Sequence, residues 1–270
     1  MDAHYRLPAL LSFALAVVLA IGAAGALFIP AVYARESALW SAQGAGQDWV
    51  DVLLVAPALA LAAWSTLRGS RRAALLLAGL LAYALYSLVL YAFFVHFGPL
   101  FLVYAWDLGL AFYALVGLVA ALGRDDVPGW FGPDAPLKTA GGLSLLLGLS
   151  FYALWLAEIV PALAAGQIPP SAVEAGLITN PIHVLDLGIV LPAFVVGGGG
   201  LILRRRFAYW LVPVMLAFGV VMDVALIGMV LSMQARGLAA GAPPLALFVV
   251  ATLLTAAVLA WLLRHARRDA

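Results

Sequence analysis

Long apolar runs separated by short polar segments dominate the chain. A helix needs about 20 apolar residues to cross the bilayer core, because each residue adds about 1.5 Å. Eight runs reach this length, so the pattern predicts an all-α, polytopic transmembrane helical bundle with eight spans. These spans are residues 8–33, 49–67, 73–97, 99–122, 139–163, 181–203, 208–234 and 244–263.

Two of these assignments need an argument. The third and fourth spans meet at residues 96–99 with almost no polar segment between them. One continuous helix over both spans would be too long for a single crossing, and Gly98-Pro99 is a strong turn signal. The first span is too long for a signal-peptide core and ends without a convincing cleavage motif. We therefore expect a tight turn at 96–99 and a retained first span.

The basic residues test the span count independently. With the N-terminus in the cytoplasm, twelve of the 14 Lys and Arg residues fall on the inner side, and only Arg35 and Arg236 fall outside. This is the bias expected for cytoplasmic loops. We expect a multi-pass protein of the plasma (inner) membrane with both termini cytoplasmic. The inner residues are Arg6, Arg68, Arg71, Arg72, Arg124, Lys138, Arg204, Arg205, Arg206, Arg264, Arg267 and Arg268.

Composition excludes several classes of protein. The chain is 66% hydrophobic and only 10% charged, with a mean hydropathy of +1.10, whereas soluble chains are about 25% charged. A net charge of +1 indicates no nucleic-acid partner, and the absence of cysteine excludes disulfides and thiolate sites. The expected partner is the lipid bilayer, and the oligomeric state is left open.

The two halves of the chain show related patterns. Asp51 precedes Pro57 by six residues in span two, and Asp186 precedes Pro192 by six in span six; an arginine ends both spans. This predicts two parallel four-helix repeats, residues 1–123 and 139–270, joined by a cytoplasmic linker at 124–138. Chance resemblance between Ala/Leu-rich helices is the alternative.

Ionisable residues within the spans concentrate in the outer half. Such residues usually face a protein interior or a cavity, because they are costly in lipid. They predict a polar cavity on the extracytoplasmic side, suited to a small-molecule or lipid ligand. The candidates are Asp51, His96, Asp107, Glu158, His183, Asp186 and Asp223.

Span six carries the densest group of signals. Asn180 can cap the helix, Pro181 suits its first turn, and His183 and Asp186 lie three residues apart on one face. This spacing allows the carboxylate to orient the imidazole or to share a proton or a metal with it. If the chain binds a metal, these two residues are the expected ligands, but no cofactor is strongly indicated. Alternatively, His183 simply lies at the membrane interface, and Asp186 interacts favourably with the positive end of the helix dipole.

Further polar and small residues recur at helical spacing. Tyr83, Ser87 and Tyr91 share one face of span three, and Tyr104 precedes Asp107 by three residues. Their hydroxyls either line a polar path or bond across helices. Pro57 and Pro192 are expected to kink their helices, and the glycines at 197–200 to permit close helix packing.

The segment TNPIHVLDLG, the GPLFLVY turn and the arginine-ended sixth span resemble a family of bacterial multi-spanning membrane proteins that has no assigned activity. The resemblance covers most of the chain and implies no catalytic role for any residue. Zinc-dependent intramembrane hydrolases, including ceramidases, carry paired histidines on a late span. Spans seven and eight lack histidine here.

Three hypotheses on function remain open. The first is a carrier or permeation protein for a small solute or protons, favoured by the duplicated pattern and the outer carboxylates. The second is a membrane enzyme acting on a lipid or isoprenoid at the outer leaflet. The third is a non-catalytic lipid-binding, sensory or assembly protein.

Overall fold

The computed structural model of the protein describes residues 3–238 and 242–267. In these ranges its secondary structure is helical with no strand, an isolated bridge joins Phe131 and Ala266, and eight helices are long and apolar enough to cross a membrane. The predicted all-α, eight-span architecture is therefore confirmed; Arg268 lies outside the described residues. The helices are α1 (Ala3–Phe28), α2 (Ala38–Leu67), α3 (Arg71–Phe94), α4 (Phe101–Arg124), α5 (Leu137–Ala164), α6 (Pro181–Ile202), α7 (Ala208–Ala235) and α8 (Ala242–Arg264).

Helices α3 and α7 form the centre of the bundle. Helix α7 packs against α2, α3, α6 and α8, whereas α1 packs against α2 and α4, and α5 chiefly against α6. The core between them is apolar and includes the fully buried side chains of Leu75, Leu81 and Leu216. The central helix α3 is accordingly the most buried of the candidate spans.

Helix α2 begins eleven residues before the predicted start of span two. Ser37 caps it by accepting a hydrogen bond from the Trp40 N–H. Its first three turns carry Gln47 and Asp48, which interrupt the apolar run but are buried in the protein. Asp51 consequently lies 13 residues, roughly 20 Å, inside the helix rather than at its outer end.

Helices α2 and α6 are interrupted at the same place relative to Pro57 and Pro192. A π turn covers Asp51–Val55 in α2 and another covers Asp186–Val190 in α6, each starting at the aspartate. The Ala56 N–H donates to the Asp51 carbonyl, and the Leu191 N–H donates to the Asp186 carbonyl. A proline breaks the regular bonding pattern of the preceding turn, and a π turn is one way to absorb that break. The kinks expected at these two prolines stay a prediction.

Small residues set the closest helix contacts. A Cβ atom on Gly46 of α2 would lie 2.4 Å from the carbonyl oxygen of Gly228 in α7. A Cβ on Gly198 of α6 would lie 2.6 Å from the carbonyl oxygen of Gly141 in α5. These pairs let backbones touch, as small residues do in membrane interfaces. The prediction that the glycine run in span six serves helix packing is confirmed at Gly198.

The linker and the C-terminal end of α8 pack together at one end of the bundle. Trp130 of the short helix Val127–Trp130 is buried, and its carbonyl accepts from the Arg267 N–H. The Arg72 guanidinium donates to the carbonyls of Arg264 and Ala266. This end gathers most of the arginines, and the candidate site residues lie toward the opposite end.

Candidate functional site

The structure divides the predicted site residues instead of joining them in one cavity. Asp51, Tyr104 and Asp107 belong to a buried group in the first half of the chain, which we call the aspartate–tyrosine cluster. Glu158, His183 and Asp186 form a second group in the other half. Helix α3 packs at the centre of the bundle, with its Tyr83 reaching the first group and its Tyr86 the second. His96 and Asp223 lie outside both groups.

Asp48 is the most fully bonded member of the aspartate–tyrosine cluster. Its Oδ2 accepts from the Tyr33 hydroxyl at 2.5 Å, and its Oδ1 accepts from the Tyr91 hydroxyl at 3.0 Å. Burial, together with this carboxylate, raises the pKa of Tyr33 above its ordinary value, so the phenol remains a donor well above neutral pH. Two donors on two oxygens suit an ionised carboxylate, which accepts and does not donate.

Asp51 lies one turn further along α2. Its Oδ1 accepts a hydrogen bond of 2.9 Å from the Tyr83 hydroxyl, and the side chain of Gln47 lies nearby. Ser87 lies beside Tyr83 on the same face of α3. The tyrosine stripe on span three therefore does both things that its spacing allowed, since it bonds across helices and lines a polar cavity.

Asp107 and Tyr104, on α4, complete the cluster without hydrogen-bond partners. The Asp107 side chain is 1% exposed, yet its Oδ1 bonds to no described residue, and the buried Tyr104 hydroxyl likewise has no partner. The other carboxylate oxygen faces α1, where a Cβ on Gly22 would lie 3.5 Å from it. Buried polar atoms without partners are rare, and each needs an explanation.

A small cavity is lined by the three aspartates together with Tyr83 and Tyr91 of α3 and Tyr104 of α4. Its volume is about 10 Å³, close to the minimum for one water molecule. No lysine, arginine or histidine is among the described residues that line it. Burying an ion without a partner costs several kcal/mol, so three carboxylates here require protons or a small cation to neutralise them.

A second small cavity lies next to this cluster, on the side of His96. It also measures about 10 Å³, is lined by His96, and shares Tyr91 and Tyr104 with the first cavity. The two tyrosine rings pack 5.2 Å apart, centroid to centroid. The His96 side chain is half exposed, and its Nδ1 lies 2.9 Å from the Oε1 of buried Glu36. Polar groups thus extend from the surface at His96 to Asp107.

The second group lies where α5 ends and α6 begins. The Glu158 Oε2 is 3.6 Å from the His183 Nε2, and its Oε1 accepts from the backbone N–H of Ser171. Ser171 belongs to the short helix Pro170–Glu174, and its hydroxyl accepts from the side chain of Asn180. Asn180 caps α6 as predicted, accepting from the Ile182 N–H.

Asp186 and His183 do not form the direct pair that their spacing suggested. The Trp155 Nε1 donates to the Asp186 Oδ2 at 2.8 Å, and the Trp155 ring packs 4.7 Å from the His183 ring. The end of α5 lies against this face of α6 and supplies closer partners to both residues, so Glu158 is the nearest carboxylate to His183. Tyr86 of α3 also lies close to Asp186.

Asp223 stands alone on α7. It is 9% exposed and makes no hydrogen bond or ion pair with another described residue. It lines none of the cavities around the two groups. The structure gives it no shared role with the other candidates.

Several members of the aspartate–tyrosine cluster are not among the site residues predicted from the sequence. Asp48 falls one residue before the predicted start of span two, and Tyr33 lies in the connection between α1 and α2. Glu36 lies in the same connection. The available signal was the i, i+3 spacing of Asp48 and Asp51, which places both carboxylates on one helix face.

Comparison of the chain with models of known protein families, with curated proteins and with solved structures finds no match. The fold itself defines the class. Eight long apolar helices make this an integral membrane protein of the multi-pass α-helical type.

Proposed function

We propose that this protein is a membrane carrier that binds and moves protons, and that the aspartate–tyrosine cluster is its proton-binding site. The observation that carries the proposal is the set of three buried carboxyl groups around a small cavity that no basic side chain of the described residues lines. Intramembrane carboxyl groups of this kind are typical of proton relays in pumps and transporters.

The hydrogen bonds assign different roles to the three aspartates. Asp48 accepts from two tyrosines, which stabilise it as an anion, and Asp51 accepts from one. Asp107 accepts from none, so it is the carboxyl group least stabilised as an anion. We assign Asp107 as the group that takes up and releases the proton, with the Tyr104 hydroxyl as its neighbour.

Among the described residues, polar groups border the cluster on the His96 side only, and this one-sidedness favours a carrier over an open channel. From the His96 end, two water-sized cavities and the hydroxyls of Tyr91 and Tyr104 lead to the cluster. Beyond the cluster, toward the arginine-rich end, the described core is lined by apolar side chains such as Leu15, Leu59 and Leu118. Release on that side requires a second conformation, as alternating access does.

The side chains of the cluster suit a bound proton better than a bound multivalent metal ion. Within 3–238 and 242–267, no three His, Cys, Asp or Glu side chains lie close enough together to hold a metal ion. A proton needs only one carboxyl group and a hydrogen-bond chain, both of which the cluster provides.

The matching π turns support a further part of the proposal, that residues 1–123 and 139–270 are two related four-helix repeats joined by 124–138. In both halves the π turn begins at an aspartate and ends two residues before a proline. We also propose that the protein lies in a bacterial inner membrane with both termini cytoplasmic, on the basis of the arginine distribution.

Proton flux into reconstituted vesicles tests the proposed function. Vesicles that contain the protein and a pH-sensitive dye are given a pH gradient, with a potassium ionophore to dissipate the membrane potential. We expect acidification that rises in proportion to the protein-to-lipid ratio, because each copy supplies one site. A rate equal to that of protein-free vesicles, under either gradient direction, would contradict the proposal.

A further inference from the structure

An apolar groove lies between the two halves of the chain. The groove has a volume of about 580 Å³ and lies between α3, α4, α6 and α7. Its walls include Leu108, Phe112, Ile189 and Phe218. Phe112 and Ile189 are 48% and 64% exposed, so the groove opens sideways toward the bilayer.

The groove lies where helices α3 and α6 face each other without packing closely. Elsewhere in the bundle small residues close such gaps, as where Gly46 lets α2 touch α7 through the backbone of Gly228.

One end of the groove lies beside a carboxylate. Tyr86 lines the groove and lies close to the Asp186 carboxylate, which is half-buried and also accepts from Trp155. A carboxylate has about four acceptor positions, and these two partners use at most two of them. Asp186, which directly follows the lining residue Leu185, therefore keeps acceptor positions free next to this end of the groove.

We infer that this groove binds a single-chain amphiphile, with its aliphatic chain between α4 and α6 and a protonated amine head group at Asp186. The groove volume lies within the range of about 300 to 1,000 Å³ that is typical of small-ligand sites. The amine supplies donors and a positive charge that complement the Asp186 carboxylate. An anionic head group is disfavoured because the nearest charged side chain at this end is that carboxylate. This inference does not depend on proton transport.

Photolabelling tests the inference. The full-length protein in phosphatidylcholine nanodiscs is incubated with hexadecylamine that carries a diazirine on its chain, and the labelled peptides are mapped by mass spectrometry. Hexadecanoic acid with the same diazirine is the matched probe. We expect saturable labelling of α4 and α6 by the amine, and weaker, non-saturable labelling by the acid.

Two variants separate a built site from general lipid contact. Asp186→Asn removes a charged hydrogen bond, and we expect amine labelling to fall roughly tenfold or more. A Cβ on Gly109, which lines the groove, meets no atom within 4 Å, so Gly109→Phe fills the groove without a backbone clash. We expect it to abolish saturable labelling, whereas Gly142→Phe, at an equally open position of α5, leaves labelling unchanged.

Three results would overturn the inference. Equal labelling by amine and acid that Asp186→Asn does not change means that bulk lipid fills the groove. Unchanged labelling in Gly109→Phe places the probe elsewhere. Crosslinks from the groove residues to a second copy mean that the groove is a protein interface. Thermal denaturation of each variant establishes that it is folded, and Gly109→Leu replaces Gly109→Phe if the larger side chain prevents folding.

Discussion

Asp107→Asn is expected to reduce proton flux in vesicles to the leak rate of protein-free membranes. The amide keeps the shape of the side chain but cannot take up and release a proton. Asp107 is 1% exposed, its carboxyl group borders the small cavity, and one carboxyl oxygen has no hydrogen-bond partner among the described residues. No hydrogen bond to a protein group at that oxygen is lost, so we expect thermal stability no lower than that of the wild type.

Asp223→Asn is the matched control for this variant. It makes the same chemical change on a transmembrane helix, at a residue that is also nearly buried but lies apart from the cluster. We expect its flux to equal that of the wild type. Wild-type flux in Asp107→Asn, or equal loss in both variants, would remove Asp107 from its assigned role.

Gly46→Leu is expected to give the largest loss of stability. A Cβ at this position would lie 2.4 Å from the Gly228 carbonyl oxygen and 2.7 Å from the Met229 Cα. Because these neighbours are backbone atoms, α2 and α7 have to separate, and overpacking of this kind costs about 3 kcal/mol or more. We expect a large drop in the midpoint of thermal denaturation in mild detergent, followed by circular dichroism.

Gly142→Leu provides the comparison for Gly46→Leu. A Cβ on Gly142 meets no atom within 4 Å, and leucine favours a helix over glycine by somewhat under about 1 kcal/mol. We expect this variant to be as stable as the wild type or slightly more so. If the two leucine variants have the same stability, α2 and α7 do not make the backbone contact that the structure shows.

The spans could be predicted from sequence because hydropathy reports directly on the membrane environment. The turn at 96–99 and the cap at Asn180 were also readable, because Gly-Pro and Asn-Pro act locally. The start of α2 could not be read from the sequence, because Gln47 and Asp48 make its first turns polar. Only the packed bundle shows that these two side chains are buried. The cluster therefore gained Asp48, which the predicted span excluded.

The partners of the site residues depend on contacts between distant helices. Tyr91 reaches Asp48 across 43 positions of sequence, and Glu158 reaches His183 from a different helix. The i, i+3 spacing of His183 and Asp186 was real, but Trp155 and Glu158 were nearer. Periodicity indicates the face of a helix on which a side chain lies, and only tertiary packing determines what it meets.

The central claim is that the aspartate–tyrosine cluster holds a proton within the membrane. Infrared spectroscopy of the protein in lipid at neutral pH, with ¹³C-labelled aspartate, measures this directly, because the C=O stretch of a protonated carboxyl group is distinct from the bands of a carboxylate. The account predicts a protonated-aspartate band that is lost in Asp107→Asn and retained in Asp223→Asn. A spectrum in which every aspartate is ionised, or a band that Asp107→Asn leaves unchanged, would contradict it.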